Sequence, residues 1–148
     1  CTENYKTIIM RNFLIIYIIS LSFLACEKPE GEGGNSVIEG QVYEIFTWQN
    51  DSTGLIDTLY YKLEDAGKDV FIIYGDDKSK IYDDKFEIDY NGRYHFEYLR
   101  KGNYTVYLYA DSTDNSNVKY EFPIFKSITI SSNKSYNLVD DFVIEKNQ

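Results

Sequence analysis

The stretch DYNGRYHFEYLRKGNYTVYLYA, residues 89–110, contains two segments in which apolar side chains recur at every second position. Successive side chains of a β-strand point to opposite faces, so a period of two indicates strands rather than helices. One face of each segment is apolar and should lie in a core. The residues expected on these two core faces are Tyr94, Phe96, Tyr98, Tyr104, Val106 and Leu108.

Turn signals accompany both segments. Asn91-Gly92 precedes the first segment and predicts a β-hairpin, because both residues tolerate a positive φ. Leu99, Gly102 and Tyr104 have the spacing of a tyrosine corner, in which the phenol hydroxyl binds nearby backbone. Gly102 is expected to provide the tight turn that enters the second segment. The stretch thus predicts two core strands joined by a hydrogen-bonded corner.

The period of two continues on both sides of this stretch. The strands predicted there cover 37–48, 69–75, 81–89, 118–130 with an interruption near Pro123, and 135–145, whereas 55–68 is ambiguous. The run at 69–75 is apolar on both faces, which is typical of a central strand covered on both sides. The 15 Tyr and 9 Phe among 148 residues also favour strands. We therefore predict an all-β chain that folds as a single seven-stranded β-sandwich.

These segments resemble the carboxypeptidase regulatory-like and Cna B-type modules, which share a transthyretin-like sandwich. The matching positions are Ile38-Glu39-Gly40-Gln41-Val42, 70–74, Asp89-Tyr90-Asn91-Gly92-Arg93-Tyr94-His95-Phe96, Leu99 and Gly102-Asn103-Tyr104-Thr105-Val106. The structural residues of this pattern are Gly92, Tyr94, Phe96, Leu99, Gly102, Tyr104 and Val106. The resemblance implies a fold and leaves the function open, because such folds carry many roles.

The first 26 residues have the layout of a secretory signal. Arg11 precedes an apolar run over 13–25, which ends in Ala25 just before Cys26. As a helix this run would span about 20 Å, short of the ~30 Å hydrocarbon core, although an uncleaved membrane anchor stays an alternative. The end of the run resembles bacterial lipoprotein signals, in which the cysteine is acylated and becomes the first mature residue. An ordinary secretory signal with an incidental cysteine is the other alternative.

This layout divides the chain into a signal peptide over 1–25, a flexible tether over 26–35 and a β-sandwich domain over 36–148. Residues 1–9, ahead of Met10, are expected to be an over-extended gene prediction. Lipid attachment at Cys26 implies a bacterial cell envelope protein that is anchored to the outer membrane, on its periplasmic or its surface face. The expected partners are the membrane, through the lipid, and another envelope protein or a glycan. The formal charge of −9 argues against nucleic acid.

Few groups in the sequence are suited to catalysis. His95 is the sole histidine, and it falls opposite Tyr94 and Phe96 in the alternation, so it should face solvent. Nucleophile–base, nucleotide-binding and His/Cys metal motifs are not found in the sequence. We therefore predict that the protein is not an enzyme and uses neither a cofactor nor a metal.

Two chemical alternatives rest on carboxylates and lysines. The run from Glu87 to Gly92 has the start of a calcium loop, but Tyr98 stands where that loop needs its last Glu. Paired acids at 76–77, 83–84 and 140–141 could also supply oxygen ligands, although solvated strand edges and turns are the favoured interpretation. An internal isopeptide bond needs an inward lysine on an early strand, and 37–48 contains none. The acid Glu97 should point outward.

Two functional classes are compatible with the sequence. The leading hypothesis is a non-catalytic, membrane-tethered β-sandwich that serves as a structural or binding module. The alternative is a glycan- or peptide-binding accessory lipoprotein that uses exposed rings such as Trp48, Tyr107 and Tyr109. Exposed rings clustered around a cleft would favour this alternative.

Overall fold

A computed structural model describes residues 29–62, 67–113 and 116–145 of the chain, and these form two β-sheets that face each other. The described residues contain nine strands and no helix. The strands are β1 (Glu32–Gln49), β2 (Ile56–Lys62), β3 (Asp69–Tyr74), β4 (Asp84–Glu87), β5 (Arg93–Leu99), β6 (Gly102–Thr113), β7 (Lys119–Ile130), β8 (Tyr136–Leu138) and β9 (Phe142–Glu145). Accordingly, this part of the chain holds no helix long and apolar enough to cross a membrane.

The first sheet is organised around β1, an 18-residue strand that is long enough to pair with four neighbours. It pairs antiparallel with β2 and β5, and parallel with the short strands β8 and β9. The second sheet has the order β4-β3-β6-β7, with every neighbouring pair antiparallel. Apolar residues from the facing sides of both sheets form the core. Its largest fully buried side chains are Tyr94, Tyr104, Phe142, Ile38, Ile72, Leu99, Leu108, Ile130, Val42, Val70 and Val106, whereas Ile73, also fully buried, lies outside this cluster.

The predicted all-β sandwich is confirmed, but the described chain has nine strands where seven were predicted. The ambiguous segment 55–68 contributes β2, and the predicted closing strand 135–145 divides into β8 and β9. The predicted interruption near Pro123 is wrong, because β7 runs unbroken through it. Among the described strands β7 is an edge, and an edge strand tolerates a proline because the missing N–H can fall on its open side.

Tyr98 is not a core residue, contrary to the alternation of its strand. Its φ is +58°, and its side chain is 68% exposed. The pairing register between β5 and β1 shifts at this point: both Glu32 and Ser36 of β1 lie opposite Leu99. A bulge of this kind reverses the alternation, so that Leu99 turns into the core in place of Tyr98.

The Asn91-Gly92 turn is present, but it does not form the predicted hairpin. Asp89 N–H donates to the Arg93 carbonyl, and of the two predicted positive-φ residues only Gly92 adopts one, at +68°. The Asp89 carboxylate accepts the N–H groups of Asn91 and Arg93 at 2.8 and 2.9 Å. The bond from Arg93, with that from Asn91, lowers the pKa of this carboxyl. The flanking strands β4 and β5 belong to different sheets, so the turn carries the chain across the sandwich.

The described part of the predicted tether packs on the sandwich. Residues 32–35 belong to β1, and the segment before them is held by the tyrosine corner. The Tyr104 hydroxyl donates to the Arg100 carbonyl at 2.7 Å, as the spacing predicts, and accepts the Gly31 N–H at 2.9 Å. Arg100 in turn donates from Nε to the Pro29 carbonyl at 2.8 Å and from its backbone N–H to Gly31. The sandwich therefore includes residues 29–35.

Replacing Tyr94 with phenylalanine is expected to stabilise the protein by about 1–2 kcal/mol. The Tyr94 hydroxyl is buried and has no hydrogen-bond partner among the residues that the structure describes, and it occupies the space above Gly40. This burial, with a smaller contribution from the Asp141 carboxylate, raises the pKa of the phenol. Urea unfolding of the Tyr94→Phe and wild-type proteins measures the difference, and a lower midpoint for the variant would contradict the expectation.

Candidate functional site

The outer face of the second sheet carries a row of aromatic rings. Phe71 on β3 lies opposite Tyr107 on β6, which lies opposite Phe125 on β7. Directly opposed residues of antiparallel strands point to the same face. The pairing therefore places Phe71, Tyr107 and Phe125 side by side, although they are far apart in the sequence. Tyr109, two residues after Tyr107, lies on the same face.

The rings contact one another in sequence. Phe71 stacks on Tyr107 with ring centroids 5.1 Å apart and planes at 22°. Tyr107 meets Phe125 at 5.0 Å, and Tyr82 meets Phe71 at 4.8 Å. Tyr109 stands nearly perpendicular to both Phe71 and Tyr107, at 5.9 and 5.7 Å. The row thus runs from Tyr82 to Phe125 across three strands.

The segment 75–83 passes over this face and is fixed by its own polar contacts. Asp83 donates its N–H to the Ile72 carbonyl at 2.8 Å, and its carboxylate accepts the Tyr74 N–H at 2.7 Å. Lys80 binds both oxygens of the Asp83 carboxylate, at 2.8 and 2.9 Å. Thr105, itself fully buried, donates its hydroxyl to the Gly75 carbonyl at 3.0 Å. These contacts hold the segment against the sheet.

A groove of about 360 Å³ lies between this segment and the rings. Its lining consists of Phe71, Lys78, Ser79, Lys80, Ile81, Tyr82, Tyr107, Tyr109, Pro123 and Phe125. Tyr82 and Tyr109 are 42% and 39% exposed, so parts of their surfaces are open to a ligand. Flat apolar rings next to phenol hydroxyls, a serine and two lysines form an amphipathic surface.

Tyr107 lies on the face predicted for it, but it is not an exposed ring. Only 6% of it is accessible, because Phe71, Phe125 and Tyr109 surround it. This burial, together with the neighbouring phenols, raises the pKa of Tyr107. Tyr107 therefore supports the neighbouring rings from below, and Tyr82 and Tyr109 supply the surfaces that a ligand can contact.

Trp48, the third ring proposed for binding, lies apart from this groove. It belongs to β1 in the other sheet, is 42% exposed and contacts Phe46 at 5.8 Å between ring centroids. The structure therefore brings two of the three predicted rings, Tyr107 and Tyr109, into one site and leaves Trp48 outside it.

The predicted structural residues are placed as follows. Tyr94, Phe96, Leu99, Tyr104 and Val106 are buried in the core, and Gly92 and Gly102 adopt positive φ values of +68° and +148°. Cys26, the predicted lipid attachment point, lies outside the described residues.

The candidate metal ligands are engaged elsewhere or dispersed. Asp76 accepts a hydrogen bond from Asn103 at 2.8 Å, and Asp77 accepts two from Ser79 at 2.6 and 3.0 Å. In the described ranges no three His, Cys, Asp or Glu side chains are grouped to hold a metal ion. His95 is exposed, 3.8 Å from Glu97, which also faces outward.

Sequence reasoning missed most of the groove lining. Phe71 was predicted to be on a covered strand, whereas Lys78, Tyr82 and Phe125 gave no signal of a shared site. Their proximity depends on strand pairing between distant segments, which the alternation within one strand cannot reveal. The apolar character of both faces of β3 was the one available hint that its outer side is covered.

No protein-family model matches the chain, and no curated relative matches it. A solved structure from Pseudomonas aeruginosa, described as that of a "putative carbohydrate binding protein", is similar to the chain at 16% identity and a TM-score of 0.42. The match covers 78% of this chain and 91% of that chain. At this identity, only the groove's own side chains indicate a function.

Proposed function

We propose that the protein is a non-catalytic β-sandwich that binds glycans in the groove on the outer face of its second sheet. The observation that carries this proposal is the row of rings from Tyr82 to Phe125 beneath an open groove. Clustered rings around a cleft distinguish a binding module from a purely structural one. Tyr82 and Tyr109 differ from the other exposed rings of the described chain because they are grouped with Phe71, Tyr107 and Phe125 around one groove.

The chemistry of the groove matches a sugar ring. A pyranose has flat faces of C–H groups and an edge of hydroxyls, so it needs flat apolar surfaces flanked by hydrogen-bonding groups. Tyr82 and Tyr109 provide such surfaces and carry phenol hydroxyls, and the Ser79 hydroxyl, which donates to Asp77, can still accept a hydrogen bond. The ring contacts fix the orientation of Tyr82 and Tyr109, which lowers the entropy cost of binding.

The groove suits a glycan better than an extended peptide. Peptides that bind sheets usually add a strand at a free edge, where backbone N–H and C=O groups are unpaired. The groove lies on the face of β3, β6 and β7, and of these strands β3 and β6 are paired on both sides while β7 is an edge. Its lining consists of side chains that project from this face and from the segment 75–83, which is the arrangement needed for stacking on a sugar.

Replacing Tyr82 with alanine is expected to weaken glycan binding roughly tenfold, since a lost ring contact is worth about 1–1.5 kcal/mol. The full chain is purified in detergent and screened against immobilised polysaccharides, and the affinity for any ligand found is measured by calorimetry. Tyr90→Ala is the matched control, because Tyr90 is 79% exposed on the 89–92 turn and outside the groove lining. An absence of binding in a broad screen, or equal losses in the two variants, would refute the proposed site.

We further propose that an acylated Cys26 tethers the sandwich to the outer membrane of a bacterial envelope. Two residues, Glu27 and Lys28, separate Cys26 from Pro29, which Arg100 binds. The span from Cys26 to Pro29 is about 11 Å at most. The lipid would therefore hold the Pro29 end of the sandwich close to the membrane. The far end of β1 would lie farther from the membrane, because residues 36–49, beyond the bulge, extend over roughly 40 Å.

Replacing Cys26 with serine is expected to move the protein out of the membrane fraction or leave an uncleaved precursor. From Cys26 onward the chain has 13 Lys and Arg against 23 Asp and Glu, a formal charge of −10, so electrostatic attraction to anionic lipid cannot replace the acyl chains. Labelling with a clickable fatty acid, beside membrane fractionation, provides the measurement. A wild-type protein that stays in the membrane without label would instead indicate an uncleaved apolar anchor.

A further inference from the structure

We infer that the groove selects an anionic glycan, one that bears a carboxylate or a sulfate, and that Lys78 is the residue that pairs with this group. The inference rests on the glycan-binding function proposed above and assigns a substrate class to the same groove.

The ammonium of Lys78 lies at the groove without a carboxylate partner. Its Nζ is 5.5 Å from the centroid of the Phe125 ring, a cation–π position. No carboxylate of the described residues lies within 4.0 Å of it, whereas Lys80 and Lys85 bind Asp83 and Asp69 at 2.8 and 2.6 Å. Lys78 is therefore held by an aromatic face and can still accept an anion.

The charge of the groove lining differs in sign from that of the whole protein. The chain has a formal charge of −9, yet two lysines and no acidic residue line the groove. Acidic residues of the segment 75–83 already have partners, since Asp83 pairs with Lys80 and Asp77 accepts hydrogen bonds from Ser79. An anion in the groove would thus meet an unpaired cation, with the nearby carboxylates bound to other groups.

The position of Lys78 along the row fits a sugar acid. The row proceeds from Tyr82 to Phe71, Tyr107 and Phe125 through ring contacts of 4.8, 5.1 and 5.0 Å. Lys78 stands at the Phe125 end, and the accessible ring of Tyr82 stands at the other end. A carboxylate or sulfate projects from the edge of a sugar ring, so a glycan stacked along the row can direct this group toward the ammonium.

The test compares glycans that differ only in charge. The full chain in detergent is titrated with polygalacturonate and its methyl ester, and with dextran sulfate and unmodified dextran. The charged member of at least one pair is expected to bind about three- to tenfold more tightly than its neutral partner, the range for one partly exposed charge-assisted contact. This preference should shrink as salt is raised.

Lys78→Gln is expected to abolish the preference for the charged glycan, and Lys78→Arg to keep it. Lys126→Gln is the matched control, because Lys126 lies 5.4 Å from the Phe142 ring in the same kind of cation–π contact but outside the groove lining. Equal binding of charged and neutral partners would overturn the inference while leaving the glycan-binding function intact. So would a preference that Lys78→Gln does not change. If none of the four polymers binds, the result would count against the glycan-binding function as well as against the preference for anionic glycans.

Discussion

Replacing Tyr104 with alanine is expected to lower the free energy of unfolding by about 3–5 kcal/mol, the usual cost of removing a buried aromatic ring. Tyr104 is fully buried, and its ring meets Tyr74 at 5.8 Å between centroids in an edge arrangement. Its hydroxyl joins the Arg100 carbonyl to the Gly31 N–H, so it connects the start of β6 to the segment that precedes β1. Urea unfolding followed by far-ultraviolet circular dichroism measures the loss.

A pair of conservative variants separates the hydroxyl from the ring. Tyr104→Phe keeps the ring but leaves the Gly31 N–H without its partner, so a loss of about 1–3 kcal/mol is expected. The same change at Tyr94 removes a hydroxyl without a partner and should stabilise the protein. If Tyr104→Phe lowers the free energy of unfolding and Tyr94→Phe raises it, the hydrogen bonding of each hydroxyl decides the effect. A change of the same sign in both variants would contradict the assignment of the tyrosine corner.

Tyr107→Ala provides a further comparison. The alternation places Tyr107 on the opposite face from Tyr104, and on that basis its loss should matter little. In the structure only 6% of Tyr107 is exposed, because Phe71, Phe125 and Tyr109 surround it. Its removal should therefore also lower the free energy of unfolding. We still expect Tyr104→Ala to lower the free energy of unfolding more than Tyr107→Ala, because the Tyr104 hydroxyl also binds the backbone at Gly31 and Arg100.

The fold could be predicted from residues 89–110 because alternation and corner spacing are local properties. Tyr94, Phe96, Tyr104 and Val106 are buried as the period of two requires. The alternation failed at Tyr98, where a bulge opposite β1 changes the register. A bulge depends on the partner strand, so nothing within the segment itself announces it.

The groove could be predicted only in part, for the same reason. Tyr107 and Tyr109 are visible as outward rings of one strand. Phe125 joins them through the pairing of β6 with β7, and Tyr82 joins them through the path of a charged segment over the sheet. Neither the pairing nor that path leaves a periodic signal. The docking of Pro29 and Gly31 was missed because Gly- and Glu-rich composition is typical of a free tether.

Replacing Gly34 with alanine is expected to cost about 3–5 kcal/mol, although the change adds a single methyl group. Gly34 lies in the bulged part of β1, where both Glu32 and Ser36 face Leu99. A Cβ there would overlap the carbonyl group of Leu99 and lie 2.5 Å from the Arg100 N atom. These are backbone atoms, so no side-chain rotation can relieve the clash and the strand must move.

Movement of this strand should release the segment that it anchors. The hydrogen bonds of Gly31 to Tyr104 and Arg100 lie directly beyond the bulge, and they should be lost together. A double-mutant cycle tests this coupling: Tyr104→Phe should cost much less in the Gly34→Ala background than in the wild type. Gly54→Ala is the control, because a Cβ there meets no atom within 4 Å and only its φ of +68° opposes the change, at about 1–2 kcal/mol. Equal costs at the two glycines would show that β1 accommodates the methyl group. Additive costs in the cycle would show that the bulge and the corner hold the N-terminal segment independently.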